Sequence, residues 1–216
     1  MGSSITREVA RHNFVLPRLY AIANAAQFQS SDDLIRFAEE VGAAGVTLLQ
    51  YRNKLGSARE VLDHADALRR QLAGSVKLVM NDRADLCIAA DFDGVHVGQE
   101  DLSPEGARTV IGSRRWLGVS THNSEQLRKA DSTSADYLAI GPVFTTSSKE
   151  NPDPIVGLDG IRAARALTRK PLVAIGGITR DNCESVIEAG ADSVAVISDL
   201  IGEPRKSAQD FLRRLG

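Results

Sequence analysis

The chain has 216 residues, of which 43% are hydrophobic and 25% are charged, the composition of an ordinary globular protein. Its formal net charge of -2 argues against a nucleic-acid-binding surface and against a general attraction to membranes. No apolar run is long enough to cross a bilayer, and the first residues lack the apolar core of a signal peptide. Two cysteines far apart in sequence predict no disulfide framework, which favours a cytoplasmic location.

Short apolar runs alternate with amphipathic segments along the chain. The amphipathic segments, among them 31–45, 57–74 and 157–170, have the spacing of helices that bury one face. Because parallel strands need crossover connections, strictly alternating βα units predict a parallel sheet. Eight runs are predicted to be strands: Arg18–Asn24, Gly45–Arg52, Lys77–Asp82, Gly94–Gln99, Trp116–Thr121, Tyr137–Phe144, Leu172–Ile178 and Ser193–Asp199.

Eight βα units predict an α/β fold of the (β/α)8 or TIM-barrel type, and a doubly wound open sheet is the main alternative. The barrel is expected to form a single catalytic domain over residues 18–216, with residues 1–17 as an N-terminal extension. Helices are expected to begin at these candidate N-caps: Ser31, Ser57, Ser103, Ser124 and Asp181.

Polar residues and glycines collect at the C-terminal ends of the predicted strands, where this fold places its active sites. In the segment TLLQYRNK, Gln50, Arg52 and Lys54 occupy every second position, so in a strand their side chains would share one side. The other strand ends carry Asn81, Asp82, Asp101, Ser120, the segment 141–149 with Lys149, the pair Gly176–Gly177, and Ser198.

The chemistry of these groups predicts a metal-assisted diphosphate site. Asp82 and Asp101 follow neighbouring strands, so their carboxylates can converge, and oxygen ligands without histidine or cysteine suit Mg2+. Arg52, Lys54 and Lys149 add three cations that can neutralise phosphate oxygens.

A second phosphate site, without metal, is predicted after strands 7 and 8, the usual phosphate-binding place in this fold. Gly176 and Gly177 expose backbone N–H groups there because no Cβ blocks a close approach, and Ser198 adds a hydroxyl.

Each of these features also has a simpler interpretation. Asp82 and Asp101 are equally interpretable as helix N-caps, Arg52 and Lys54 as exposed loop charges, and the glycine pair as a tight turn. The combination favours a site, because all the simpler interpretations would have to hold at the same end of every strand. Among the remaining residues, His96 is expected to be a hydrogen-bonded interior histidine, His12, His64 and His122 to be surface residues, and Cys87 and Cys183 to be small core residues.

Taken together, the strand ends resemble the thiamine-phosphate synthase family over roughly residues 18–200. The resemblance implies a TIM-barrel transferase that uses Mg2+. It implies condensation of 4-amino-2-methyl-5-hydroxymethylpyrimidine diphosphate with 4-methyl-5-(2-hydroxyethyl)thiazole phosphate, or its carboxylated form, to give thiamine phosphate and pyrophosphate. The matching segments are QYRNK (50–54), ND (81–82), GVHVGQED (94–101), GVSTHN (118–123), GPVFTTSSK (141–149), AIGGI (174–178) and VIS (196–198).

The resemblance also implies roles for individual residues. It assigns Asp82 and Asp101 to the metal, and it implies a dissociative route without a covalent nucleophile, in which Arg52, Lys54, Lys149 and Ser120 act electrostatically. Binding of the pyrimidine diphosphate is implied for Gln50, Tyr51, Arg52, Asn53, Lys54, Asn81, Ser120 and Lys149, with the side chains of Tyr51 and Asn53 facing away from the ligand. Binding of the thiazole phosphate is implied for Thr146, Ser147, Ser148, Gly177, Ile197 and Ser198.

Two segments depart from the family pattern. The first motif more often reads QLREK in the family, whereas this chain has Tyr51 and Asn53 at the second and fourth positions. The loop after strand 6 usually reads PTxTK. Here Thr145 replaces the proline and Ser148 replaces the second threonine.

Alternative functions are a thiazole tautomerase of the same superfamily, another phosphosugar-processing barrel, and a non-catalytic barrel that binds phosphate ligands. The expected partners are small-molecule substrates and neither nucleic acid nor membrane, and the oligomeric state stays open, with a homo-oligomer among the alternatives.

Overall fold

The chain folds as a closed barrel of eight parallel strands, β1 to β8, in which each strand pairs with its neighbours in sequence and β8 pairs with β1. The structure, a computed structural model, describes residues 15–72, 74–146 and 153–216. The barrel prediction is confirmed, and the doubly wound open sheet is excluded. The strands are β1 (Leu19–Asn24), β2 (Leu48–Arg52), β3 (Lys77–Asn81), β4 (Gly94–Val97), β5 (Trp116–Thr121), β6 (Tyr137–Ile140), β7 (Leu172–Ile175) and β8 (Ser193–Val196).

Helices follow the strands and cover the outside of the barrel. Three predicted N-caps are wrong by one residue or more. Ser30 caps α1 in place of Ser31, Asn123 caps α5 in place of Ser124, and Asn182 rather than Asp181 precedes α7. The helices of the described residues are α1 (Ser31–Ala43), α2 (Ala58–Leu72), α3 (Ala84–Ala89), α4 (Pro104–Ile111), α5 (Ser124–Asp131), α6 (Gly157–Leu167), α7 (Cys183–Glu188) and α8 (Pro204–Leu215), with short 3-10 helices at Ala25–Gln27 and Ser198–Leu200.

The other two predicted caps are confirmed. The Ser103 side chain accepts a hydrogen bond from the backbone N–H of Gly106, and Ser57 accepts one from the N–H of Glu60 at 3.2 Å. In each case a hydroxyl oxygen satisfies an N–H of the first helical turn, which has no partner within the helix.

Several strands end earlier than the apolar runs suggest. β7 ends at Ile175 because Gly176 and Gly177 have φ values of 99° and 66°, which take the backbone out of the extended region. β6 ends at Ile140, just before Gly141 and Pro142, and proline cannot donate to a strand ladder. At β6 and β7, the C-terminal face of the barrel is therefore built from the loops that follow the strands.

Two apolar clusters form the core. One lies between the strands and the helices, and the other fills the barrel interior. Interior positions recur at every second residue of a strand, and towards the C-terminal end they change from apolar to polar. The interior cluster consists of Tyr20, Ile22, Leu48, Val79, Tyr137, Ala139, Val173 and Ala195.

Cys87 and Cys183 are buried free thiols, as expected for small core residues. Within the described ranges, none of the helices combines the length and apolarity that a membrane crossing requires.

Candidate active site

Two polar side chains at the end of β2 lie in the barrel interior and at its mouth. Gln50 is 4% exposed, and its Nε2 donates to the hydroxyl of Tyr20 at 2.9 Å. Arg52 is half-buried, and its Nη1 donates to Oδ1 of Asn24 at 2.9 Å. Lys54 lies beyond the strand, so only Gln50 and Arg52 share the strand alternation that the sequence suggested for all three residues.

An acidic pair lies next to this strand end. The side chains of Asp82 and Asp101 are close neighbours, and Asp101 Oδ2 accepts a hydrogen bond from the backbone N–H of Gly98 at 2.8 Å. Lys54 Nζ lies 3.1 Å from Asp82 Oδ2. Burial and the neighbouring Asp101 raise the pKa of Asp82 to about 6, against the opposing effect of Lys54.

Neither carboxylate caps a helix. Arg83 precedes α3, and Ser103 caps α4, so the simpler interpretation of Asp82 and Asp101 as N-caps is wrong. Asp82 also has a φ of 62°, which a non-glycine residue rarely adopts and which costs free energy. The backbone at Asp82 is held by the surrounding structure, because its N–H donates to the carbonyl of His96 at 2.8 Å.

The donor set of the acidic pair fits Mg2+. Two carboxylates that share a partly buried site repel each other, and a divalent cation would relieve that repulsion. Among the residues that the structure describes, no group of three or more histidine, cysteine, aspartate or glutamate side chains is positioned to hold a metal. A site with two protein carboxylates leaves the remaining positions to water and phosphate oxygens, which is the usual arrangement for Mg2+.

The loop after β6 is described only up to Thr146, which is half-buried. Ser147, Ser148 and Lys149 lie outside the described residues, so the third predicted cation and two of the predicted thiazole-phosphate ligands stay predictions.

Close packing requires glycine at both positions that follow β7. A Cβ on Gly176 would lie 2.6 Å from Pro142 Cβ, and one on Gly177 would lie 2.5 Å from the carbonyl oxygen of Thr145. Glycine is therefore required for the loop after β6 to pack on the loop after β7. Ser198 lies exposed after the adjacent β8, and its Oγ accepts from Gln27 Nε2 at 3.4 Å. Ile197 packs against the interior cluster.

His96 is an interior histidine with hydrogen-bond partners on both ring nitrogens, as the sequence indicated. It is 8% exposed, with Nδ1 at 3.1 Å from the Tyr137 hydroxyl and Nε2 at 2.8 Å from Ser120 Oγ. The Tyr137 hydroxyl lies in turn 3.0 Å from that of Tyr20. Burial lowers the pKa of His96 to about 4, so the imidazole is neutral at physiological pH.

The side chains of Tyr51 and Asn53 face away from the barrel interior, as expected from their places in the alternation. The Tyr51 hydroxyl lies 2.7 Å from His64 Nδ1, and His64 Nε2 lies 2.7 Å from Ser31 Oγ. Asn53 Nδ2 donates to the Tyr51 hydroxyl at 3.2 Å and to Glu60 Oε1 at 3.1 Å. These contacts fasten the loop that carries Lys54 to α2.

The prediction of His64 as a surface residue is wrong, because it is 8% exposed between α1 and β2. His122 is likewise half-buried, with Nδ1 at 2.7 Å from the carbonyl oxygen of Gly141, and His12 lies outside the described residues. A polar residue on an amphipathic helix looks exposed in sequence, and only the hydroxyls of Ser31 and Tyr51 make burial of His64 acceptable.

Three residues at the site were not identified from the sequence: Asn24, Tyr20 and Tyr137. Asn24 is 6% exposed at the end of β1 and orients Arg52. Tyr20 and Tyr137 are 1% and 0% exposed inside the barrel, where they connect Gln50 with His96. Asn24 could have been identified as a site residue because it is a polar residue at the end of the first predicted strand. The two tyrosines lie in apolar runs and give no such indication.

Comparison with known proteins identifies the family. The sequence model described as thiamine monophosphate synthase matches residues 19–200. A thiamine-phosphate synthase of Koribacter versatilis is 64% identical over 203 residues, covering 93% of this chain and 96% of that protein. One of Chloroflexus aurantiacus is 43% identical, covering 85% of each chain. In structure, a thiamine phosphate pyrophosphorylase from Pyrococcus furiosus superposes with a TM-score of 0.82 at 30% identity, covering 92% of this chain and 95% of that one. The chain therefore belongs to the thiamine-phosphate synthase family.

Proposed function

We propose that the chain joins 4-amino-2-methyl-5-hydroxymethylpyrimidine diphosphate to 4-methyl-5-(2-hydroxyethyl)thiazole phosphate, or to its carboxylated form, giving thiamine phosphate and pyrophosphate. The observation that carries the proposal is the acidic pair Asp82–Asp101 with Lys54 beside it and Arg52 at the neighbouring strand end. This arrangement suits a diphosphate with its metal, and it occurs in a member of a family named for this synthesis.

Asp82 and Asp101 would hold Mg2+. When bound, the metal would neutralise charge on the diphosphate and favour its departure. Lys54 and Arg52 would add fixed positive charge on the same side. Asn24 keeps the Arg52 guanidinium oriented through the bond of 2.9 Å, so less conformational freedom is lost when the anion binds.

The proposed route is dissociative. The bond between the pyrimidine methylene carbon and the diphosphate oxygen breaks first, and the electron pair leaves with pyrophosphate. The amino-substituted ring stabilises the resulting methylene cation, and the thiazole nitrogen then donates its electron pair to form the new carbon–nitrogen bond. In this route the described residues near the acidic pair would position the substrates and stabilise charge, and none of them would form a covalent bond with a substrate.

Gln50 is proposed to bind the pyrimidine, because its amide lies inside the barrel below Arg52. Asn81 ends β3 and Ser120 lies one residue before the end of β5, on either side of β4, and both are proposed to bind the same substrate. Lys149 is proposed as a further cation on the diphosphate.

The thiazole phosphate is proposed to bind between the loops after β6, β7 and β8. Gly177 would contribute its backbone N–H, Ser198 its hydroxyl, and Ile197 an apolar wall. Thr146, Ser147 and Ser148 are proposed to contact the phosphate from the loop after β6. We also propose a cytoplasmic location, consistent with two free buried cysteines.

The test supplies both substrates and follows two products. Thiamine phosphate is measured as its fluorescent oxidation product thiochrome, and pyrophosphate release is measured by phosphorus NMR. The proposal predicts equal amounts of the two products, and neither product when one substrate is omitted. Pyrophosphate release without coupling would indicate a hydrolase, and change of the thiazole phosphate alone would indicate a tautomerase.

A further inference from the structure

A continuous hydrogen-bonded chain crosses the interior of the barrel below its mouth. It runs from Gln50 through Tyr20, Tyr137 and His96 to Ser120, and these five residues are called the relay. Its links measure 2.9 Å, 3.0 Å, 3.1 Å and 2.8 Å in that order. The relay thus connects β2 with β5 through side chains of β1, β6 and β4.

The fold keeps space for the relay at one position. Gly118 lies two residues before Ser120 on β5, and a Cβ there would lie 2.1 Å from Tyr137 Cζ and 2.4 Å from His96 Nδ1. Any larger residue at 118 would displace the Tyr137–His96 contact. The ring planes of Tyr20 and Tyr137 meet at 74°, an edge-on arrangement in which the two hydroxyls lie within hydrogen-bond distance.

Hydrogen bonds in such a chain share one direction. A tyrosine hydroxyl and a neutral imidazole each donate one hydrogen, so when every hydrogen is used within the chain, all of them point toward Ser120 or all point toward Gln50. Toward Ser120, the Gln50 amide N–H donates to Tyr20 and the His96 Nε2–H donates to Ser120 Oγ. The hydroxyl hydrogen of Ser120 can then be donated to a ligand. In the opposite direction, Ser120 donates to His96 and presents only lone pairs to the mouth.

The direction toward Ser120 is the one that suits both ends of the proposed substrate. A diphosphate oxygen accepts hydrogen bonds, so an anion near Ser120 stabilises the state in which Ser120 donates. In that state Gln50 keeps its carbonyl oxygen and one N–H for a ligand. That donor–acceptor edge complements a ring nitrogen beside an exocyclic amino group, as in the pairing of glutamine with adenine. In the opposite direction the Gln50 carbonyl turns to Tyr20, and the acceptor for the amino group is lost.

We infer that Tyr20, Tyr137 and His96 are positioning residues that couple anion binding at Ser120 to recognition of an aminopyrimidine at Gln50. The inference rests on the proposed function, since it takes the pyrimidine diphosphate as the ligand. Coupling between two ligands is reciprocal, so each end of the substrate favours the hydrogen-bond direction that the other end requires.

The test separates the two ends of the substrate. The dissociation constant of the uncharged hydroxymethylpyrimidine is measured by calorimetry with and without magnesium pyrophosphate. In the wild type, pyrophosphate is expected to tighten binding of the pyrimidine at least about fivefold, the lower end of typical coupling between sites. In Tyr137→Phe, which keeps the ring and removes the hydroxyl, the effect should fall below about twofold.

Thr121→Val is the matched control. Thr121 follows Ser120 on β5 but points to the other face, where its buried Oγ1 donates to the carbonyl oxygen of Ala139 at 2.8 Å. The substitution removes a buried hydroxyl outside the relay, and it should leave the effect of pyrophosphate as in the wild type.

Tyr20→Phe interrupts the relay at its other tyrosine and serves as the second variant where Tyr137→Phe does not fold. Absence of any effect of pyrophosphate in the wild type, or an unchanged effect in a folded tyrosine variant, would overturn the inference. The proposed function has a separate readout. Wild-type protein that makes thiamine phosphate while Tyr137→Phe keeps full coupling rejects the relay alone, whereas failure to make the product rejects the proposed function.

Discussion

Lys54 Nζ lies 3.1 Å from Asp82 Oδ2, although the two residues follow different strands of the barrel. The lysine side chain is 51% exposed, whereas the aspartate side chain is 18% exposed. Lys54 therefore lies on the solvent side of one carboxylate of the acidic pair, and Asp101 is the neighbour that, together with burial, raises the pKa of that carboxylate. Among the described residues, Lys54 is the cation in contact with the pair, and two carboxylates with one such contact carry an excess of negative charge, which is the electrostatic basis for expecting a divalent cation there.

The raised pKa of Asp82 predicts a pH-dependent stability in the metal-free protein. Its pKa in the folded state is about 6, above the ordinary value of 3.8, so the folded chain binds the proton more tightly than the unfolded chain. Above about pH 6 the ionised carboxylate therefore destabilises the fold to its full extent, and this penalty decreases as the pH falls from about 6 towards 3.8, below which the unfolded chain is protonated as well. Asp82→Asn in EDTA is expected to raise the melting temperature by a few degrees at pH 7.5 and by less at pH 5. A gain that grows on acidification would contradict this.

Asn24 is predicted to act on substrate binding through Arg52. Asn24→Ala removes the acceptor that orients the guanidinium at 2.9 Å, so KM for the pyrimidine diphosphate should rise roughly tenfold, with a smaller change in kcat. Asn123→Ala is the control, because it removes an asparagine that only caps α5. Steady-state kinetics of both variants check the prediction, which fails if the two change KM equally.

His64 is predicted to be a buried stabilising residue. Substitution by alanine removes the His64 partner of the Ser31 and Tyr51 hydroxyls, leaves Tyr51 with its bond from Asn53, and opens a cavity between α1 and β2. His64→Ala should therefore lower the free energy of unfolding by about 2 kcal/mol in urea denaturation. Arg70→Ala, on the exposed face of the same helix, should change it by less than about 0.5 kcal/mol. Equal effects of the two substitutions would restore the surface interpretation of His64.

The fold was predictable because the same sequence pattern occurs eight times along the chain. Eight apolar runs, each followed by an amphipathic segment, admit few topologies besides a barrel. The grouping of Gln50, Arg52, Asp82 and Asp101 was predictable for the same reason, since parallel strands place their C-terminal ends at one face.

The remaining features depend on contacts that no local pattern encodes. The apolar run 172–178 continues past the end of β7, and the turn there comes from glycines packed against Pro142 and Thr145. His64 is buried because of hydroxyls from two other elements, and Tyr20 and Tyr137 meet although 117 residues separate them. Sequence alternation indicates which face a side chain occupies, but not the partner that it meets there.

The assignment of Asp82 to the metal can be tested by the magnesium dependence of thiamine phosphate formation in wild-type protein, Asp82→Ala and Asp85→Ala. Asp85 pairs with Arg83 on the surface, so its substitution controls for loss of a nearby carboxylate. Wild-type protein and Asp85→Ala are expected to form product, and EDTA is expected to abolish product formation in both. A metal held by Asp82 has a further consequence. It predicts a loss on the order of 100-fold or more in Asp82→Ala, with the fold retained in circular dichroism. Wild-type turnover by Asp82→Ala with magnesium still required would show that this carboxylate does not hold the metal, and absence of product from folded wild-type protein would contradict the proposed synthesis.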